Sequence, residues 1–276
     1  MKKIIFLLIL SVFISCDYIE DPFIENNGNN GNNQGEGITK VLIEDFTGHK
    51  CPNCPRAAEE LDFLMQDVFP NQIIPISIHA GSFANTNNSY TVDYTTDVGN
   101  ELNGFFNIEA YPSGLINRVD FNSNPIKNYQ DWSIEVNEIL TNTPTPPVII
   151  TINNNFNSNS RELTCIISTE FQEEVEGTFM LCAWMTEDSL ISKQSDNEAI
   201  EGSIENYVHM HVLRGALNST WGDTIANGPL NIGYTNNNSY NITVSSEYDE
   251  SNCKVVAFIY KYDDMIIQAE QKSVVE

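Results

Sequence analysis

The chain has 276 residues, room for about two ordinary domains. It carries 13 Lys and Arg against 38 Asp and Glu, a formal net charge of -25. That balance argues against a nucleic-acid surface, which needs clustered basic residues, and against a polybasic mode of membrane binding.

Lys2 and Lys3 form a basic start, and residues 4–14 are an apolar run too short for a transmembrane helix. The run ends in Phe13-Ile14-Ser15-Cys16, which resembles a bacterial lipobox. The resemblance implies that residues 1–15 are a signal peptide and that Cys16 is acylated as the mature N-terminus. Several acyl chains on one residue would anchor it stably in a membrane. The alternative is an ordinary secretory signal with an incidental cysteine. Residues 16–37 are rich in Asn and Gly and nearly devoid of apolar side chains, so they are expected to form a flexible tether. The early acidic pair Glu20-Asp21 resembles the export signal of surface-exposed Bacteroidetes lipoproteins.

Residues 38–143 are expected to form the first domain. Residues 40–46 are an apolar, β-branched strand, and after a short turn residues 51–64 carry Ala57, Ala58, Leu61 and Leu64 at helical spacing. Cys51 and Cys54, with two residues between them, therefore sit where a strand hands over to a helix N-terminus. There free N–H groups and the helix dipole favour a thiolate. Pro52 suits a first helical turn. Residues 72–78 form the next strand, giving a βαβ unit. Residues 82–96 are polar and are expected to run over the surface. Residues 97–106 return to helical spacing, a turn with Pro112 opens a strand, and residues 128–140 form a last helix with Trp132, Val136 and Ile139 on one face.

A strand, a Cys-x-x-Cys at the next helix start and a later proline opening a strand together resemble the thioredoxin fold. The resemblance implies a cis Tyr111–Pro112 bond beside the cysteines, with Cys51 as the attacking thiol and Cys54 as the resolving one. It also gives Asp45 the place of a buried carboxylate that accepts the proton of the second cysteine. The alternatives are a static disulfide that staples the turn and, for Asp45, a solvated acid at a strand end. Lys50 stands where that family usually has an aromatic residue, and Pro55 follows Cys54 directly.

Three prolines in residues 141–147 mark a boundary, and residues 147–276 carry short apolar runs separated by polar turns. That pattern predicts an all-β antiparallel sandwich. Cys165, Cys182 and Cys253 lie in such runs and are expected to pack as buried thiols, the alternative being one bridge among the three. A structural zinc site needs four clustered ligands, and no second close cysteine pair exists. In a strand, His209 and His211 would share a face and form half a metal site, although a hydrogen-bonded pair fits better because no third ligand is apparent. No cofactor is implied.

Residues 41–55, Ser77-Ile78-His79-Ala80-Gly81, Tyr111 to Arg118, and His209 to Gly222 together resemble the outer membrane protein 28 family of Bacteroidetes lipoproteins. The resemblance runs from Lys40 to the C-terminus and implies an outer-membrane lipoprotein, on the periplasmic face or at the cell surface. Its partners would be the membrane through the lipid and either disulfide-containing exported proteins or a surface ligand. The function expected is thiol–disulfide exchange, or else non-enzymatic binding or adhesion on a thioredoxin scaffold. Asp188-Ser189-Leu190 and Asp223-Thr224-Ile225 also resemble a short O-glycosylation motif of exported Bacteroidetes proteins.

Overall fold

A computed structural model describes residues 37–275. The signal peptide, Cys16 and the tether, all expected at or before residue 37, lie outside the described residues except for Gly37. Strand β1 (Val41–Thr47) is buried along its whole length, because both faces of its sheet are covered. Helix α1 (Cys54–Phe63) follows, and β2 (Ile73–His79) returns parallel to β1 with Val41 opposite Ile73. A short helix α2 (Gly81–Ala84) precedes α3 (Asp97–Phe105), whose first turn is capped by Thr96 accepting from the Gly99 N–H at 3.0 Å. Strand β3 (Ser113–Ile116) runs antiparallel to β1, β4 (Ile126–Lys127) pairs with β3, and α4 (Trp132–Asn142) closes this half.

The second half is made of strands: β5 (Val148–Asn157), β6 (Glu162–Phe171), β7 (Thr178–Glu187), β8 (Leu190–Ser195), β9 (Ser203–His209), β10 (Val212–Ala216), β11 (Asp223–Asn227), β12 (Thr235–Thr243), β13 (Cys253–Lys261) and β14 (Ile266–Ser273). They do not keep to themselves. A mixed sheet runs β14-β13-β7-β10-β2-β1-β3-β4, with β11 also on β7. Val212 of β10 lies opposite Ser77 of β2, and the Ser77 N–H donates to His211 O at 2.8 Å. One sheet therefore crosses the boundary expected at residues 143–147, and all the described residues fall within one compact unit.

Period-two alternation distributes the core. Val41, Ile43 and Ile73 face α1 and α4 together with Leu61, Trp132 and Val136. Leu42, Phe46, Ile76 and Ile78 face the other way, joining Leu102 of α3 and Trp184 and Phe258 of the second half. The separate sheet β12-β6-β5 stacks Ile150, Ile152, Leu163 and Ile167 on Leu181, Ala183, Val255 and Ala257. Strand β12, rich in Asn, forms one edge of that sheet. Cys165, Cys182 and Cys253 are free and buried in these cores. Burial pushes the thiols of Cys165 and Cys253 up to about 12.

Several residues of the resembling motifs serve this packing. The Asn117 side chain accepts from the Leu42 N–H at 2.7 Å, and Arg118 pairs with Glu44. A Cβ on Gly114 would lie 2.5 Å from the Trp132 indole, so the missing side chain lets α4 settle on β3. Asn218 accepts from the Ala183 N–H at 3.1 Å and donates to Leu181 O at 2.8 Å, which binds its loop to β7.

Candidate functional site

Cys51 and Cys54 are bonded, with an S–S distance of 2.18 Å and Cα atoms 5.4 Å apart. The helix begins at Cys54 rather than at Cys51, so Pro55, not Pro52, occupies the first turn. The loop before it is held down by close backbone contact. A Cβ on Gly48 would lie 2.5 Å from the Phe83 carbonyl carbon, and the Lys50 N–H donates to Phe83 O at 3.0 Å.

Neither cysteine is open to solvent. Cys51 is 1% exposed and Cys54 3%. The hairpin β8–β9 covers them. Gln194 Nε2 donates to Cys51 O at 2.9 Å, the Ser195 N–H donates to His49 O at 2.8 Å, and the Asn197 N–H donates to Pro52 O at 3.0 Å. Asn197 also meets Asn53 through their side chains, and Arg56 of α1 binds Asp196 at 3.1 Å and Glu198. Nothing in this polar stretch, 194–198, marks it in the sequence as a cover.

Beside Cys54 is a cavity of about 60 Å³, also lined by Asp45, His79, Gln194, Tyr207 and His209, room for a few waters. Asp45 is buried, and among the described residues its Oδ1 has no hydrogen-bond partner. Burial raises its carboxyl to about 7. His79 is buried with Nδ1 likewise unpartnered. Burial first, then the nearby His209, His49 and Arg214, hold it well below the usual histidine range. His209 is lowered to about 4 by burial and by His49. Its ring lies 5.4 Å from that of His79, and its Nε2 is hydrogen-bonded to Ser192 at 2.9 Å. The polar 82–96 segment does not stay on the surface throughout. Tyr94 is buried against His79 and His209, each 5.0 Å away, and Tyr90 stacks on His49 at 5.2 Å.

His209 and His211 do not share a strand face. Strand β9 ends at His209, and His211 takes φ 58, which sends it to Asp188 at 2.9 Å. Among the described residues no group of three or more His, Cys, Asp or Glu could hold a metal ion. The Tyr111–Pro112 bond is cis, and Ser113 opposite Phe46 places Pro112 at the same end of the sheet as the Cys51 loop. Ser189 and Thr224, the hydroxyls of the two short glycosylation-like motifs, are both exposed.

The family model for outer membrane protein Omp28 matches residues 99–276, more than half of the chain. The chain belongs to the Omp28 family. The matched segment begins inside α3, so Cys51 and Cys54 lie outside it. An Omp28 member is associated with the outer membrane, and none of the described helices is long and apolar enough to cross a membrane, which leaves strand-built spans unaddressed. Among solved structures the chain is similar to HBP35 of Porphyromonas gingivalis, with 15% identity and a TM-score of 0.66 over 87% of this chain and 76% of that one. At that identity the likeness is one of fold. No curated protein matches the sequence.

Proposed function

We propose that this Omp28-family chain is a lipoprotein, anchored through Cys16 after loss of residues 1–15, that exchanges disulfides with exported proteins at Cys51–Cys54. The N-terminal half is read as thioredoxin-like on the order β1-α1-β2, the antiparallel β3 and the cis Pro112. One observation carries the reading. Asp45 is a buried carboxyl with no partner at Oδ1 among the described residues, lining the same small cavity as Cys54. Such a group is costly to bury and gives a static staple nothing. Beside a leaving thiolate, a carboxyl near 7 can hand over or take up a proton at working pH.

In the oxidised form, a substrate thiolate attacks Cys51 Sγ. The Cys51–Cys54 bond breaks, and the Cys54 thiolate takes the proton of Asp45. A second substrate thiolate then attacks the substrate sulfur of the mixed disulfide and releases Cys51 as thiolate. The substrate gains a disulfide, and the Cys51–Cys54 pair takes up its two electrons.

The burial of both sulfurs favours a second reading, in which the disulfide is structural and the chain is a surface binding module. The reduction potential separates the two. A value of roughly -120 to -270 mV, with exchange abolished in Cys51→Ala, supports catalysis, whereas a value below about -300 mV without exchange supports the staple.

A further inference from the structure

The hairpin β8–β9 forms a two-stranded sheet of its own and pairs with no strand of the main sheet. Its inner face is polar, with Ser192, Gln194 and His209, while Ile191 and Val208, directly opposite each other across the hairpin, are exposed. At the turn after β8 the contacts to the rest of the molecule converge on one place. The N–H groups of Ser195 and Asn197, two residues apart, donate to the carbonyls of His49 and Pro52 on either side of Cys51, and Gln194 donates to Cys51 O itself. Residues 196–198 are a turn rather than a paired strand, so the Cys51 loop receives two backbone donors, which an extended peptide of almost any sequence can also supply.

We infer that residues 194–198 are an intrachain strap filling a peptide-binding edge of the Cys51 loop, and that an extended polypeptide gains the disulfide by taking the strap's place. The inference rests on the exchange reading above, which it completes by giving the site a substrate class and a gate. Arg56 latches the strap through Asp196 and Glu198, and Asn53 holds Asn197. These are few and partly exposed interactions, and the hairpin adds little apolar burial to them. Segments of that type open locally without global unfolding.

The test uses the full-length oxidised chain and a small phosphine reductant, with amide hydrogen exchange followed in parallel under native conditions. The rate of reduction is expected to track the opening of the Ser195 and Asn197 amides rather than that of Ile43 and Ile76 in the central strands. Reduction that follows Ile43 and Ile76 overturns the strap. In Arg56→Ala combined with Gln194→Ala, reduction is expected to speed up by about tenfold or more, the effect of losing one or two modest hydrogen bonds. Loss of protection at Ser195 and Asn197 with no faster reduction also overturns it. A released variant that reduces quickly yet oxidises no dithiol peptide sustains the strap as a cover while removing the exchange reading, so the two failures are distinguishable.

Discussion

Arg118 grips Glu44 through two hydrogen bonds, Nε to Oε2 at 2.8 Å and Nη2 to Oε1 at 2.7 Å, and neither side chain has any solvent exposure. The guanidinium is ringed by Phe106, Trp184, Trp221, Phe258 and Tyr260 at 5.4 to 5.8 Å. The pair links β1, in the first half of the chain, to aromatic residues of the second. Asp45, the next residue along β1, points to the opposite face and has an orphaned oxygen. Adjacent carboxyls thus have different surroundings, one ion-paired inside the core and the other lining the cavity that Cys54 also lines.

Arg118→Met is expected to cost about 3–5 kcal/mol, because it strands the Glu44 carboxylate in the core. Glu44→Leu added to it is expected to recover most of that loss, since a buried ion pair and an apolar replacement of similar volume are often close in stability. Urea unfolding of the single and double variants checks both. A double variant no more stable than Arg118→Met would show that the cation–aromatic packing, not the ion pair, dominates.

Asp45→Asn is expected to stabilise the oxidised protein above neutral pH. Its folded carboxyl, near 7, lies above the ordinary value of 3.8, so between those values the folded state holds a proton that the unfolded state has released. Stability from this group is therefore lost as pH rises through that window. The difference between Asn and Asp should be small at pH 4 and approach an amount on the order of 4 kcal/mol by pH 8. Thermal or urea unfolding across pH reads it. A pH-independent difference would mean that Asp45 does not titrate in the fold.

His209 carries the opposite sign. Its folded value near 4 lies below the ordinary 6.5, so the unfolded state binds the proton first as pH falls. From about pH 6.5 down to about 4 the wild type is expected to lose about 3 kcal/mol more than His209→Gln. Because His209 is on the inner face of the hairpin, amide exchange at Ser195 should quicken over the same range in the wild type. A matching acid loss in both proteins would assign the effect elsewhere.

Much of the first half was legible because local pattern and tertiary role agree. The β-branched run ahead of Cys51 became β1, the 97–106 spacing became α3, and the Trp132 face became the buried face of α4. The joining of the two halves was not legible. It depends on the short β10 pairing with β2 and on a long β7 reached by β10, β11 and β13, and such pairings leave no trace in local spacing. The alternation expected of His209 and His211 fails at a left-handed His211, a conformation that no spacing signals. Cys51, Cys54, Asp45 and Pro112 could be found from the motif alone. Gln194, Ser195 and Asn197, which cover them, could not, because they act through backbone groups and two amide side chains.

Removing the disulfide distinguishes a staple from a site that merely rests oxidised. The two cysteines are three residues apart, and bridging so short a segment removes little freedom from the unfolded chain. Chain-entropy reasoning gives about 2 kcal/mol for a loop of this size, against about 3 for a loop of 15 residues. Cys51→Ser with Cys54→Ser is therefore expected to lower stability by no more than about 2 kcal/mol, and the hairpin bonds from Gln194 and Ser195, which go to backbone carbonyls, should survive. Equilibrium unfolding measures the first, and amide exchange at Ser195 measures the second. A loss of about 4 kcal/mol or more, beyond what so short a loop supplies, would show that the bond organises the fold around it, and the structural reading of the disulfide would then prevail.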